Sequence, residues 1–192
     1  QELKDAISDF TSKAGFYDVV LFYYSGHGLQ HNGCNYLVPT DMPRISSVND
    51  LEDPRNGLYF VQSLLRDIED SGCKLGMIVL DACRNNNLPG VRGDNRRKGL
   101  AKMPQSTNTI VAYATQAGST ADDGFGRNSP YTKVFLEMLD KQDWDIFKFF
   151  NQVGVQVRNE TRGGQIPDWT AAPIEYPFIF NRRAVEREKS IT

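Results

Sequence analysis

"DVVLFYYSGHG", Asp18 to Gly28, sets an unbroken run of β-branched and aromatic residues directly against a histidine held between two glycines. A run of that composition suits a strand buried on both faces. Upstream, Leu3, Ala6, Ile7 and Phe10 repeat at helical spacing. Downstream, "LQHNGCNYLV" (Leu29–Val38) reads as two short extended pieces around an Asn32-Gly33 turn, a hairpin. Residues 40–57 are polar and carry Pro43, Pro54 and Gly57, the composition of a long loop.

The rest of the chain alternates in the same way. Val61, Leu64, Leu65 and Ile68 mark an amphipathic helix ended by Ser71-Gly72, and "LGMIVL" (Leu75–Leu80) a second buried strand. "NTIVAYAT" (Asn108–Thr115) is a third strand, reached through the aperiodic loop "RNNNLPGVRGDNRRKG" (Arg84–Gly99). Two more helices follow, one on Tyr131, Val134, Phe135 and Met138, the other on Ile146, Phe149, Phe150, Val153 and Val157. "EYPFIF" (Glu175–Phe180) reads as the last strand, and a charged tail begins at Arg182. Strands alternating with helices predict an α/β fold, a mostly parallel sheet with helices on both faces. The domain spans 1–181 and the tail 182–192.

Composition narrows the function classes. A formal net charge of −2 gives no electrostatic footprint for nucleic acid or an anionic membrane. No apolar run approaches the roughly 20 residues that span a bilayer, and no secretory signal is legible. Cys34, Cys73 and Cys83 are an odd number with no CxxC pair, which argues against a disulfide framework or a zinc knuckle. The expectation is a cytoplasmic chain whose thiols stay reduced.

Parallel α/β sheets place reactive groups at the carboxyl ends of their strands. His27 follows the first strand and Cys83, in "LDACRN", the second, so neighbouring strands would bring them to one rim. A free thiol titrates near pH 8.5 and is only a few per cent thiolate at neutrality, so a cysteine nucleophile needs a base. Histidine suits that task and the later return of a proton to a leaving amine. Gly26 permits a tight turn, and Gly28 lets a substrate carbonyl approach its N–H, which with the N–H of Cys83 would hold a developing oxyanion. Taken singly, each residue has a plainer reading, a turn histidine and a packed cysteine; the paired placement is what singles them out.

"VVLFYYSGHG", "IVLDACRNN" and "GRNSPYT" together resemble the caspase-like cysteine peptidases, above all paracaspases and bacterial caspase-domain proteins, from about Gln1 to Asn181. The resemblance implies a caspase-like three-layer sandwich, with His27 as general base and acid, Cys83 as nucleophile, and Gly28 and Cys83 as oxyanion donors. Caspases proper carry glutamine two positions before the nucleophile and arginine in a later loop. Here those places hold Asp81 and, laying "ATQAGSTADDG" on that loop, Asp123. Paired carboxylates suit a guanidinium, so the resemblance implies cleavage after arginine in preference to lysine. It also implies that Ala121–Asp122 pairs with an extended substrate as an added strand.

Further expectations follow. Arg92, Arg96, Arg97 and Lys98 are candidate self-cleavage sites in the loop after Cys83, a point that intact masses of wild type and Cys83→Ala decide. The family's sheet begins with strands that have no counterpart here, so a companion N-terminal fragment is expected, and the last strand suggests a homodimer seam. A catalytically silent scaffold is the alternative function. A metal site on His27, His31 and Cys34 is disfavoured, because the spacing spans a strand end and a hairpin. No cofactor is expected; calcium, which activates some metacaspases, would have only the acidic loop of Asp50, Glu52 and Asp53, which lacks the EF-hand pattern.

Overall fold

The apolar run at Val19 becomes the middle of a six-stranded sheet. The computed structural model describes residues 2–42, 48–51, 53–83, 100–116 and 127–183. Helix α1 (Glu2–Ala14) leads into β1 (Val19–His31), which turns into β2 (Cys34–Leu37). Asn32 and Gly33 both take positive φ, as a two-residue hairpin turn of this hand requires. After two short 3₁₀ turns come β3 (Tyr59–Phe60), α2 (Val61–Asp70) and β4 (Leu75–Cys83). Then follow β5 (Thr109–Tyr113), α3 (Pro130–Leu139), α4 (Ile146–Glu160) and β6 (Asp168–Ala171). The strand order is β3-β2-β1-β4-β5-β6.

Alternation along the central strands divides their side chains between two cores. On one face Val20, Ile78, Leu80 and Val111 meet Ile7 of α1 and Leu64, Leu65 and Ile68 of α2. On the other, Met77, Val79, Ile110 and Ala112 meet Val134 and Phe135 of α3 and Phe149, Phe150 and Val153 of α4. Burying each such side chain is worth up to ~1.5–3 kcal/mol, so the sheet is held from both sides. The result is the three-layer α/β sandwich. Its long ladders, β1 with β4 and β4 with β5, are parallel, while β2, β3 and β6 add antiparallel flanks.

Three expectations are corrected. First, the strands run further than their apolar residues: the β1–β4 ladder continues through Ser25–Asp81, Gly26–Ala82 and His27–Cys83. His27 therefore lies within β1 and Cys83 ends β4. Second, "EYPFIF" is not a ladder strand. Asp168–Ala171 takes the place beside β5, and of the aromatic run only Ile179 makes a bridge, to Asp145. Phe180 instead packs 4.5 Å from Phe149 and Phe178 packs 5.0 Å from Phe180, closing the α3/α4 core. Its apolarity serves packing, and the last strand of the sheet is β6. Third, the polar loop at 40–57 contains 3₁₀ turns at Val48–Leu51 and Pro54–Asn56.

At the β1 edge, β2 covers only Gly28–His31. Among the described residues, no strand pairs with β1 before Gly28 on the side away from β4. No helix of the described residues is long and apolar enough to cross a membrane.

Candidate active site

The site is built where the central ladder ends. In register, His27 faces Cys83 as Cα partners, about 4.8 Å apart across a strand pair. Two residues down each strand the next pair on that face is Ser25–Asp81, and below it Tyr23–Val79. His27 is exposed to solvent, whereas Asp81 is 5% exposed.

Local hydrogen bonds fix the His27 backbone. Its carbonyl accepts from the Val38 N–H at 3.0 Å and from the Tyr24 hydroxyl at 2.8 Å. The same hydroxyl reaches the Val38 carbonyl at 2.8 Å, so one phenol spans the strand and the exit of the hairpin. Burial pushes the Tyr24 phenol above its ordinary range, which keeps it a neutral donor. Because the His27 carbonyl faces β2, backbone alternation turns the Gly28 N–H toward β4 and its Cys83 end.

Both glycines have packing reasons to lack a side chain. A Cβ on Gly26 would sit 2.8 Å from the Tyr24 hydroxyl, and one on Gly28 would sit 3.0 Å from Leu100 Cδ2 and 3.1 Å from Ala82 Cβ. Leu100 is itself anchored. The Asn35 side chain, fully buried, donates to the Ala101 carbonyl at 2.8 Å and accepts the Ala101 N–H at 2.7 Å. The Met103 N–H adds a bond to the Tyr113 hydroxyl at 2.9 Å. The segment that returns from the loop after Cys83 is thus pinned under the site.

Asp81 accepts from the hydroxyls of Ser129 and Thr132 at one oxygen, Oδ2, the Thr132 bond being 2.6 Å long. Ser129 also caps α3, accepting the Thr132 N–H at 3.0 Å, with Pro130 at the first helical position. The Tyr23 hydroxyl lies 2.7 Å from Thr132 Oγ1.

Other expected site residues fare differently. Asp123, Ala121 and Asp122 lie outside the described residues, as do Glu52 and the whole Arg84–Gly99 loop. His27 and His31 are four residues apart along one strand, roughly 13 Å, too far to share an ion. No group of three or more potential ligands forms a metal site among the described residues. The Asp53 carboxylate is held by Arg55, at 3.0 Å to Nε and 2.6 Å to Nη2, and stays charged down to about pH 2. Its charge is directed at a guanidinium. Cys34 and Cys73 are free, partly buried thiols.

The sequence profile of the caspase domain matches residues 1–179. The chain belongs to the caspase-domain family. Its fold matches that of the Drosophila initiator caspase Dronc with a TM-score of 0.59 at 12% identity, covering 94% of this chain and 64% of that one. It matches Caspase-1 from Spodoptera frugiperda with a TM-score of 0.60 at 16% identity, covering 95% and 72%. Among curated proteins, the chain is 29% identical over 123 residues to human mucosa-associated lymphoid tissue lymphoma translocation protein 1. It is 30% identical over 102 residues to the mouse homolog. Those stretches cover 62% and 53% of this chain but only 13% and 11% of the relatives, so the chain spans a small part of their length.

Within this caspase-domain chain, sequence reasoning passed over Tyr23, Tyr24, Asn35, Ser129 and Thr132. Signals for two of them exist. Ser-Pro at 129–130, ahead of an apolar helical repeat, is a helix-start signature, and it lies inside the quoted "GRNSPYT". Tyr24 and Asn35 carry no such mark, because their partners are backbone groups distant in sequence or across a turn.

Proposed function

We propose that this chain is the peptidase domain of a cysteine endopeptidase that cuts after basic residues, arginine in preference to lysine. The observation that carries the reading is the register pair His27–Cys83 at the carboxyl end of two neighbouring parallel strands. In the reaction, His27 takes the thiol proton and the Cys83 sulfur attacks the substrate carbonyl carbon. The oxyanion forms against the N–H groups of Gly28 and Cys83. Collapse of this intermediate breaks the C–N bond as His27 returns the proton to the leaving amine. Water, deprotonated by His27, then hydrolyses the thioester and restores the thiol. No cofactor enters these steps, and a reducing cytoplasm keeps the nucleophile available.

Asp81, with Asp123, forms the base of the pocket for the basic side chain, and Ala121–Asp122 pairs with the substrate backbone. Support for Asp81 is its position one same-face step below the His27–Cys83 pair, with two neutral hydroxyls on its carboxylate. The other three rest on the resemblance. The unit is residues 1–181; the outer edge of β1, which no described strand covers before Gly28, takes a further strand, and a second copy docks along the "PFIF" segment.

Peptides matched except for a terminal Arg, Lys or Asp before the scissile bond test the reading. Wild type should turn over Arg best, then Lys. His27→Ala or Cys83→Ala should each lower kcat/KM by about a thousandfold or more, with little further loss in the double variant, because the two act as one unit. Asp123→Ala should reduce the preference for Arg. Strong turnover of the Asp peptide overturns the specificity. Absence of turnover and of labelling by an arginine-terminated probe favours a silent scaffold.

A further inference from the structure

A peptide bond is one rigid plane in which the carbonyl and the following N–H point in opposite directions. Whatever grips the His27 carbonyl therefore also aims the N–H of Gly28. That carbonyl is gripped twice, by the Val38 N–H at 3.0 Å and by the Tyr24 hydroxyl at 2.8 Å. The first bond carries the pairing of β1 with β2 one step beyond Gly28–Leu37, as a strand pair would. The second comes from a side chain of β1 folded back on its own strand, and no ladder needs it.

Three observations tie the phenol to this duty. Its proton is shared between the His27 and Val38 carbonyls, both at 2.8 Å, and its oxygen accepts the Val38 N–H at 3.3 Å. The strand and the exit of the hairpin thus hold it from two sides. Burial raises its pKa, so the proton is there to donate throughout the neutral range. Space is also kept for it: a Cβ on Gly26 would stand 2.8 Å from the hydroxyl and 3.0 Å from the ring carbon that bears it. Alanine at that place would push the phenol off the carbonyl.

We propose that Tyr24 is a positioning residue for the reaction: its hydroxyl locks the His27–Gly28 peptide and so holds the Gly28 N–H toward Cys83, where the oxyanion develops. The inference rests on the reading of His27, Cys83 and Gly28 as the catalytic groups. Orientation set in advance is what makes such a donor effective, because a donor that must turn during the reaction loses part of its contribution. A phenol that merely stapled the hairpin would serve ground state and transition state alike.

The experiment measures kcat and KM on the peptide that wild type cleaves best, and the binding of the matching peptide aldehyde and alcohol. It also follows alkylation of Cys83 by iodoacetamide, read by mass on the peptide that carries Cys83. The aldehyde carbon takes the sulfur and leaves its oxygen where the oxyanion would stand, whereas the alcohol cannot add. Alkylation displaces iodide from a saturated carbon and forms no oxyanion. The enzymes are wild type, Cys83→Ala, Tyr24→Phe, Gly26→Ala and the double variant of the last two, each with a urea melt. Tyr24→Phe should lower kcat and weaken the aldehyde about tenfold, less than the loss of an oxyanion donor outright. KM, alcohol binding and the alkylation rate should stay within about twofold of wild type, because none of them draws on the oxyanion. Gly26→Ala, which displaces the hydroxyl without removing it, should give a similar fall, and the double variant should be no worse than either.

Unchanged kcat and aldehyde binding in Tyr24→Phe, while Cys83→Ala abolishes turnover, overturns the positioning role and leaves the Cys-His reading intact. An equal weakening of aldehyde and alcohol, or a parallel fall in alkylation, overturns it as well. Turnover that survives in Cys83→Ala overturns the reading beneath it. Should Tyr24→Phe fail to fold, Gly26→Ala decides: a loss confined to kcat and the aldehyde supports the proposal, and wild-type values overturn it.

Discussion

Gly28 illustrates how one residue answers to two demands. The sequence suggests that its missing side chain admits a substrate; the structure adds that a Cβ there would press on Leu100 and Ala82 at 3.0 and 3.1 Å. Contacts that short require the neighbours to shift, and overpacking of this kind costs about 1–3 kcal/mol. Gly28→Ala should lower the urea midpoint accordingly, with an unchanged slope. Full stability in that variant would return Gly28 to a purely functional account. The register of His27 opposite Cys83 was legible because two apolar runs announce neighbouring parallel strands, although the ladder continues past those runs. The residues that hold them were not: the phenol of Tyr24 acts on a backbone carbonyl three residues away, and Asn35 on Ala101, 66 positions later. Nothing local in either residue's neighbourhood announces such a partner.

At the scale of elements, alternation found the central strands and missed the flanks. β4 is buried on both faces and β1 packs apolar side chains on both, so their composition declares them. β3 has two residues and β6 four, with Asp168 at its start, and neither carries a run long enough to stand out. "EYPFIF" misled in the opposite direction, because aromatic residues that close a helical core look like strand residues in one dimension. The same alternation makes a testable statement about the edge of β1 that no described strand covers. Since the His27 carbonyl faces β2, the backbone groups of Leu21, Tyr23 and Ser25 face outward, and those of Val20, Phe22 and Tyr24 face β4. Amide exchange in the isolated chain should alternate, fast at the first three and slow at the second. A companion strand, once supplied, should slow the fast set. Uniformly slow exchange without any addition would mean that the edge is already covered.

Across the whole molecule, buried phenols tie both cores to the protonation state of tyrosine. Tyr24 lies against the α1/α2 core, and Tyr23 and Tyr131 belong to the α3/α4 core. Burial raises the pKa of each: Tyr131 is fully enclosed, and Tyr23 and Tyr131 also feel the Asp81 charge. Tyr59, beside Asp67, is pushed to about 12 by desolvation and then by that carboxylate. An unfolded chain would release these protons near pH 10. Above that value the folded state binds more protons than the unfolded one, so the free energy of unfolding falls with rising pH; below it the contribution is fully present. The urea midpoint should therefore hold level as the pH approaches 10 and then decline, with the part of the tyrosinate absorbance that Tyr23→Phe or Tyr24→Phe removes appearing in step with unfolding and not ahead of it. Tyr23→Phe should soften the decline, because it removes one of the protons at stake. If that difference signal rose near pH 10 while the native fold persisted, these phenols would be open to water, and the account of both the Tyr24 and the Tyr23 hydrogen bonds would be undone.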